Sequence, residues 1–77
     1  MEYLVTFHTH YGAMQFNKLC KAERIAAKLM PVPRELSANC GICVRFTAEV
    51  APKPSEHEDM EYCYAVDERG GYTKKED

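Results

Sequence analysis

The residues of this 77-residue sequence best suited to reactive chemistry are its four cysteines, Cys20, Cys40, Cys43 and Cys63. A cysteine reacts as its thiolate, and nearby cations or converging backbone amides lower its pKa and raise the reactive fraction. Cys40 precedes Gly41, with Arg34 upstream and Arg45 downstream. We therefore expect Cys40 to be the reactive thiol, with Arg34 favouring its anion and the Gly41 amide close to it. Such a thiol can accept sulfur from a persulfide or take part in a redox cycle.

The other cysteines have simpler interpretations. Cys40 and Cys43 form a C-x-x-C match, but thioredoxin-type motifs open a helix, and this one opens an alternating, β-branched run. Cys43 is a supporting residue that could displace a persulfide from Cys40, although residues three apart on a strand point to opposite faces. Cys20 and Cys63 are predicted to pack as small apolar side chains.

A metal site is the competing interpretation. Cysteine and histidine side chains are the usual ligands of tetrahedral zinc, and the chain also contains His8, His10 and His57. Zinc ribbons show two C-x2-C pairs, whereas this sequence has one. The alternative function is therefore a zinc-binding or protein-interaction module using Cys40 and Cys43 as ligands or packing residues. The favoured expectation assigns no metal, no cofactor and no catalytic residue, so the protein is not expected to be an enzyme.

Regular elements must position Cys40. Residues Glu2–Phe7 alternate in the manner of a strand. Thr9 can cap a helix that begins near Tyr11 and continues from Ala13 to about Glu23. Its apolar face is predicted to consist of Ala13, Phe16, Leu19 and Cys20.

The second half of the chain predicts short strands separated by prolines. A strand over Ile25–Met30 should stop at Pro31, and Pro33–Leu36 should form a helical turn. The loop Ser37–Gly41 follows, where Asn39 and Gly41 tolerate a positive φ. A third strand is predicted from Ile42 through Phe46, with Val50 as its furthest end.

The last elements are predicted beyond Pro52-Lys53-Pro54. Ser55 and Glu58 have capping-box spacing, which predicts a short helical turn over Glu56–Met60. Tyr62–Val66 predicts a fourth strand. Residues 1–69 then form a single α+β domain, and residues 70–77 form a flexible polar tail.

This order predicts a ferredoxin-like βαββ(α)β sandwich. It has a four-stranded sheet, one main helix, and a second helix that is shortened or missing. The first crossover should be a right-handed βαβ unit that makes the first strand a neighbour of its parallel partner. A sheet with one good helix leaves apolar surface uncovered, so a homodimer is expected.

Composition excludes several classes of function. Ten basic and twelve acidic residues give a formal net charge of -2, so the chain has no basic excess for nucleic acid. No apolar run approaches the roughly 18 residues that a membrane span needs. The first residues already predict a strand rather than a signal peptide, so we expect a cytoplasmic protein without membrane contact.

The region from Phe7 to Phe46 resembles the "Putative Se/S carrier protein-like" family. The resemblance rests on Ala13 in the first helix, on Pro31-Val32-Pro33-Arg34-Glu35, and on Ser37-x-x-Cys40-Gly41. It covers a little over half of the chain. The Pro-Arg-Glu…Ser-x-x-Cys-Gly run is its specific part.

Family membership implies a cytoplasmic bacterial or archaeal protein that carries sulfur or selenium on Cys40 as a persulfide or selenopersulfide. It also implies protein partners, namely a donor such as a cysteine desulfurase and an acceptor protein. Three cysteines (Cys20, Cys43 and Cys63) lie outside the family pattern. Sulfur-relay carriers with a Cys-Pro-x-Pro motif place their cysteine at the first helix, where this chain has His8-Thr9-His10.

Overall fold

The structure is a computed structural model that describes residues 1–36, 38 and 40–75. Over these residues the chain forms an α+β fold with one α-helix and a five-stranded antiparallel sheet. The elements are β1 (Glu2–Phe7), α1 (His10–Ala22), β2 (Ala27–Pro31), β3 (Ile42–Thr47), a 3₁₀ turn η1 (Pro54–Glu56), β4 (Met60–Val66) and β5 (Tyr72–Lys74).

The strand order in the sheet is β2-β3-β1-β4-β5, and every neighbouring pair is antiparallel. Because β1 and β2 both run antiparallel to β3, they are parallel to each other with β3 between them. The prediction that β1 lies beside its parallel partner is therefore wrong. The alternation of apolar residues gives the strands but not which strands pair, because pairing depends on contacts distant in sequence.

The sheet has a fifth strand where the sequence predicted part of a polar tail. Tyr72–Lys74 pairs with β4, joining Val66 to Tyr72 and Tyr64 to Lys74. The reversal before it is made by Asp67, whose side chain accepts hydrogen bonds from the backbone N–H of Arg69 (2.9 Å) and Gly71 (2.8 Å). A strand of three residues with two polar members has too little alternation to be recognised from sequence.

Two elements next to prolines begin or end at other residues than the sequence predicted. Pro31 is the last residue of β2, whereas the sequence predicted that the strand would end at Met30. The Val32 N–H donates to the Gly41 carbonyl (3.0 Å). Successive residues of an antiparallel strand point their N–H positions alternately towards and away from the partner strand, so that of Pro31 points away from β3. The missing N–H of proline therefore costs no hydrogen bond between the strands. The later helical turn covers Pro54–Glu56 rather than Glu56–Met60, with Lys53 as its N-cap residue instead of Ser55.

Apolar side chains pack on both faces of the sheet. The helix-side core lies under α1 and contains Tyr3, Val5, Phe7, Ala13, Cys20, Val44, Phe46, Met60 and Cys63. The opposite-face cluster has buried Leu4, Cys43, Tyr64 and Val66, with Met30, Val32, Leu36, Tyr62 and Tyr72 packed around them. The sheet is therefore apolar on both sides, and the residues after β2 help to cover the face without a helix.

The helix begins as predicted at its N-cap and differs at one apolar position. The Thr9 side chain accepts a hydrogen bond from the Gly12 N–H, as an N-cap residue does. Ala13 and Cys20 are buried and Phe16 is partly buried. Leu19, predicted on the same buried stripe, is 51% exposed.

Candidate functional site

The candidate site is the loop that joins β2 to β3. The loop is closed at its base by the hydrogen bond from the Val32 N–H to the Gly41 carbonyl (3.0 Å). The predicted turn at Pro33 is confirmed, since the Leu36 N–H donates to the Pro33 carbonyl at 3.0 Å. Val32 and Leu36 pack on the opposite-face cluster. These contacts fix both ends of the loop to the sheet.

Cys40 lies near the end of this loop, separated from β3 by Gly41, and is partly exposed to solvent. Its thiol donates a hydrogen bond to the carbonyl of Ile42 at 3.3 Å. The residue is therefore partly accessible at the loop end, and a sulfur donor has to compete with the hydrogen bond that the thiol donates to Ile42.

Two further loop residues that the sequence singled out are exposed. Arg34 lies in the turn after Pro33, with its side chain exposed to solvent. Gly41 is also exposed, and a Cβ added there would meet nothing within 4 Å. Gly41 does not adopt a positive φ, so neither the backbone nor the packing of this loop requires a glycine at the position. Ser37 and Asn39 lie outside the described residues.

Cys43 is the second residue of β3 and is fully buried. Its thiol donates to the Pro31 carbonyl at 3.6 Å, which lies on the neighbouring strand. Burial, followed by the nearby Cys40, raises the pKa of the Cys43 thiol to about 11. At neutral pH this cysteine is therefore a protonated packing residue of the opposite-face cluster.

The remaining two cysteines lie in the helix-side core, as predicted. Cys20 is 3% exposed and Cys63 is fully buried. Burial raises the pKa of both thiols, that of Cys63 to about 11. All four cysteines are free, so Cys40 is distinguished from the other three by its exposure.

A metal centre would need several ligands in one place. Among the residues that the structure describes, no three histidine, cysteine or acidic side chains lie close enough to hold a metal ion. The zinc alternative therefore has no donor set in that part of the chain. Nor does a helix within the described ranges have the length and apolarity to cross a membrane.

The tyrosines of β4 and β5 form contacts within the sheet. Tyr62 and Tyr64 pack edge to face with their ring centres 6.3 Å apart. The Lys74 ammonium lies 3.9 Å from the centre of the Tyr62 ring, a cation–π contact between β5 and β4. Tyr62 and Tyr64 lie two residues apart on one face of β4, and the contact of Lys74 with Tyr62 joins β5 to that face.

Comparison with known proteins identifies relatives of the chain. The Escherichia coli (strain K12) protein named "Uncharacterized protein YtiA" is 33% identical over 46 residues, which are 60% of this chain and 54% of that protein. The matched region thus spans about half the length of this relative. No solved structure gives a significant match. A family model described as "Putative Se/S carrier protein-like" matches residues 2–57, from β1 through η1 and including the Cys40 loop, so the chain belongs to that family.

Proposed function

We propose that this protein is a sulfur or selenium carrier that holds the transferred atom on Cys40. The observation that carries the proposal is the difference in exposure among the four thiols. Cys40 is partly exposed at a loop end, whereas Cys20, Cys43 and Cys63 are at most 3% exposed. Membership of the carrier-like family supports the assignment.

The transfer step needs no external oxidant or reductant. The Cys40 thiolate attacks the terminal sulfur of a donor persulfide, R–S–SH. The S–S bond of the donor breaks, a new S–S bond forms on Cys40, and R–S⁻ leaves and is protonated by water. Delivery repeats the exchange with an acceptor thiolate as nucleophile. Selenium follows the same scheme with a terminal Se–H group.

Cys43 has no part in this scheme. Release of the carried sulfur as hydrosulfide would need the Cys43 thiolate to attack the inner sulfur of the Cys40 persulfide and form a Cys40–Cys43 disulfide. That thiol is fully buried, is hydrogen-bonded to the Pro31 carbonyl, and has a pKa of about 11. The carried sulfur is therefore passed to another protein rather than released inside this one.

The remaining parts of the proposal follow from the carrier role. A donor such as a cysteine desulfurase and an acceptor protein are the partners, and the protein is a cytoplasmic carrier rather than a turnover enzyme. The helix α1 connects β1 to β2, and β3 lies between these two strands in the sheet. The turn η1 lies between β3 and β4, where a second helix would be. Both features support a ferredoxin-like fold with a shortened second helix.

The test is a mass measurement after incubation with a persulfide donor. We expect wild-type protein to gain the mass of one sulfur atom, and peptide mapping to place it on Cys40. Cys40→Ser should gain nothing. Cys43→Ser is the matched control, because it removes a thiol from the same strand–loop junction and should still gain one sulfur.

Two outcomes would contradict the carrier proposal. Absence of any adduct on the folded wild-type protein is one, and an adduct retained by Cys40→Ser is the other. Gly41→Ala sharpens the result, because a methyl group there has open space around it. Unchanged stability together with slower sulfur uptake from a protein donor would indicate that the donor approaches at Gly41.

A further inference from the structure

A groove of about 520 Å³ lies between α1 and the turn that precedes β4. Its floor is apolar, because the almost fully buried Phe7 and Met60 line it together with the half-buried Phe16. Leu19 extends the apolar lining along the helix. The volume falls within the roughly 300–1,000 Å³ that small-molecule sites in proteins have, and such sites are mostly apolar with a few polar groups. Size and lining are therefore those of a site for a small organic molecule.

The groove exists because the connection from β3 to β4 contains only a short turn. Two small residues of this connection, Ala48 and Ala51, pack on the helix-side core. The three-residue turn η1 follows them. Small side chains and one turn of 3₁₀ helix occupy less space beside α1 than a full second helix would.

The wall opposite α1 is a tight turn whose position is fixed by several contacts. The Met60 N–H donates to the His57 carbonyl at 3.2 Å, which closes the turn. The His57 ring packs edge to face on an aromatic ring of α1, with ring centres 6.3 Å apart. The Asp59 Oδ2 accepts from the Thr9 N–H (3.1 Å) and hydroxyl (2.7 Å). Glu58 lies between these two anchored residues, so the backbone that carries its carboxylate is already in place before a ligand binds.

The charge of the groove lining is negative. Glu58 and Asp59 belong to the lining, which has no lysine or arginine among the described residues, and Lys18 and Lys21 of α1 lie outside it. The Asp59 carboxylate binds Thr9 at the start of α1, where the helix dipole is positive, so its charge is offset locally. Glu58 forms no ion pair within the part of the chain that the structure describes. Its carboxylate is therefore the unbalanced charge of the groove.

We propose that the groove binds a small organic cation, namely a protonated amine on an aromatic or branched aliphatic body. The body packs on Phe7, Phe16 and Met60, and the ammonium group pairs with Glu58. The carboxylate attracts a cation and repels an anion of the same shape, so charge complementarity selects this class of ligand. The site is separate from the sulfur chemistry assigned to Cys40 and does not depend on it.

The test is a titration of the ¹⁵N-labelled full chain, followed by its amide NMR signals, with three probes of similar shape. Phenethylammonium is positive, phenethyl alcohol is neutral and phenylacetate is negative. We expect phenethylammonium to shift the amide signals of Gly12, Gln15 and Asp59. It should bind about threefold to fivefold more tightly than the alcohol, as expected of one partly exposed ion pair. Phenylacetate should bind more weakly than the alcohol.

Two matched variants locate the charge that selects the ligand. Glu58→Gln should bind phenethylammonium and phenethyl alcohol with equal affinity, and it should fold normally because Glu58 is exposed. Glu49→Gln is the control, since it removes the same charge from an exposed residue that does not line the groove. It should keep the wild-type preference for the amine. Leu19→Ala should weaken the binding of all three probes, because it removes apolar contact from the lining.

Several outcomes would overturn the proposal. One is the absence of binding by phenethylammonium at millimolar concentration, and another is equal affinity of the wild type for the amine and the alcohol. A preference for the amine that survives Glu58→Gln is a third. A fourth is a groove occupied by a second copy of the chain, which would shift the same amide signals with protein concentration alone and double the mass in sedimentation velocity.

Discussion

At the scale of single residues, the buried thiols make stability depend on alkaline pH. Burial raises the pKa of both Cys43 and Cys63 to about 11, whereas an unfolded cysteine titrates near pH 8.5. The folded state therefore favours the neutral thiol. The resulting stabilisation is complete below about pH 8.5 and is lost progressively as pH rises towards 11.

We predict that the free energy of unfolding falls above about pH 9, by at most about 1.4 kcal/mol per pH unit for each of these thiols. Urea titrations between pH 7 and 10.5 under reducing conditions measure it. Cys43→Ala should lower stability at every pH but show a shallower alkaline decline. An unchanged slope in Cys43→Ala would show that Cys43 does not titrate in this range.

At the scale of elements, the start of α1 is built around one carboxylate. Thr9 caps the helix, and the Asp59 side chain accepts both the N–H and the hydroxyl of Thr9. A Cβ placed on Gly12 would overlap the Asp59 carboxyl group. Glycine at this helical position, which otherwise costs about 1 kcal/mol relative to alanine, is therefore explained by a residue nearly fifty positions away.

The effect of Gly12→Ala should change sign with the residue at position 59. In the wild-type background it should destabilise the protein by about 1–3 kcal/mol, because the methyl group displaces the Asp59 carboxylate and its hydrogen bonds. In an Asp59→Gly background, which also removes the Cβ atom that would lie 2.8 Å from the new methyl group, it should stabilise by up to about 1 kcal/mol through helix propensity. Thermal unfolding of the four proteins measures this coupling. The same sign in both backgrounds would contradict the role given to Asp59.

The sequence indicates local elements much better than their contacts. The alternation in β1 and the cap at Thr9 depend on neighbouring residues, and both were predicted correctly. The exposure of Leu19 was not, because the short connection from β3 to β4 leaves that side of α1 open, and the course of this connection depends on distant contacts. The Cys40 loop was predicted from proline and glycine. The groove between α1 and residues 57–60 could not be predicted, since it forms only where these two segments, distant in sequence, meet.

At the scale of the whole molecule, β5 completes the sheet at the edge beyond β4. Tyr72 packs on the opposite-face cluster, and Lys74 covers the Tyr62 ring. Without β5, the seven-residue strand β4 would become the edge, with a row of unpaired backbone groups. Long unprotected edge strands promote association between chains.

A chain ending at Gly70 should therefore lose stability and gain a tendency to aggregate. Removing the packing of Tyr72 alone is expected to cost less than the roughly 1.5–3 kcal/mol of a fully buried large side chain, because Tyr72 is only partly buried. A chain ending at Lys75 is the control, since it keeps all of β5. Urea unfolding gives the stability, and light scattering at rising concentration gives the aggregation. Equal stability of the two chains would mean that residues 71–75 add nothing to the fold, as expected of a polar tail. Lower stability without aggregation would mean that the exposed backbone of β4 does not pair with other chains. The side chains of β4 would then protect this edge.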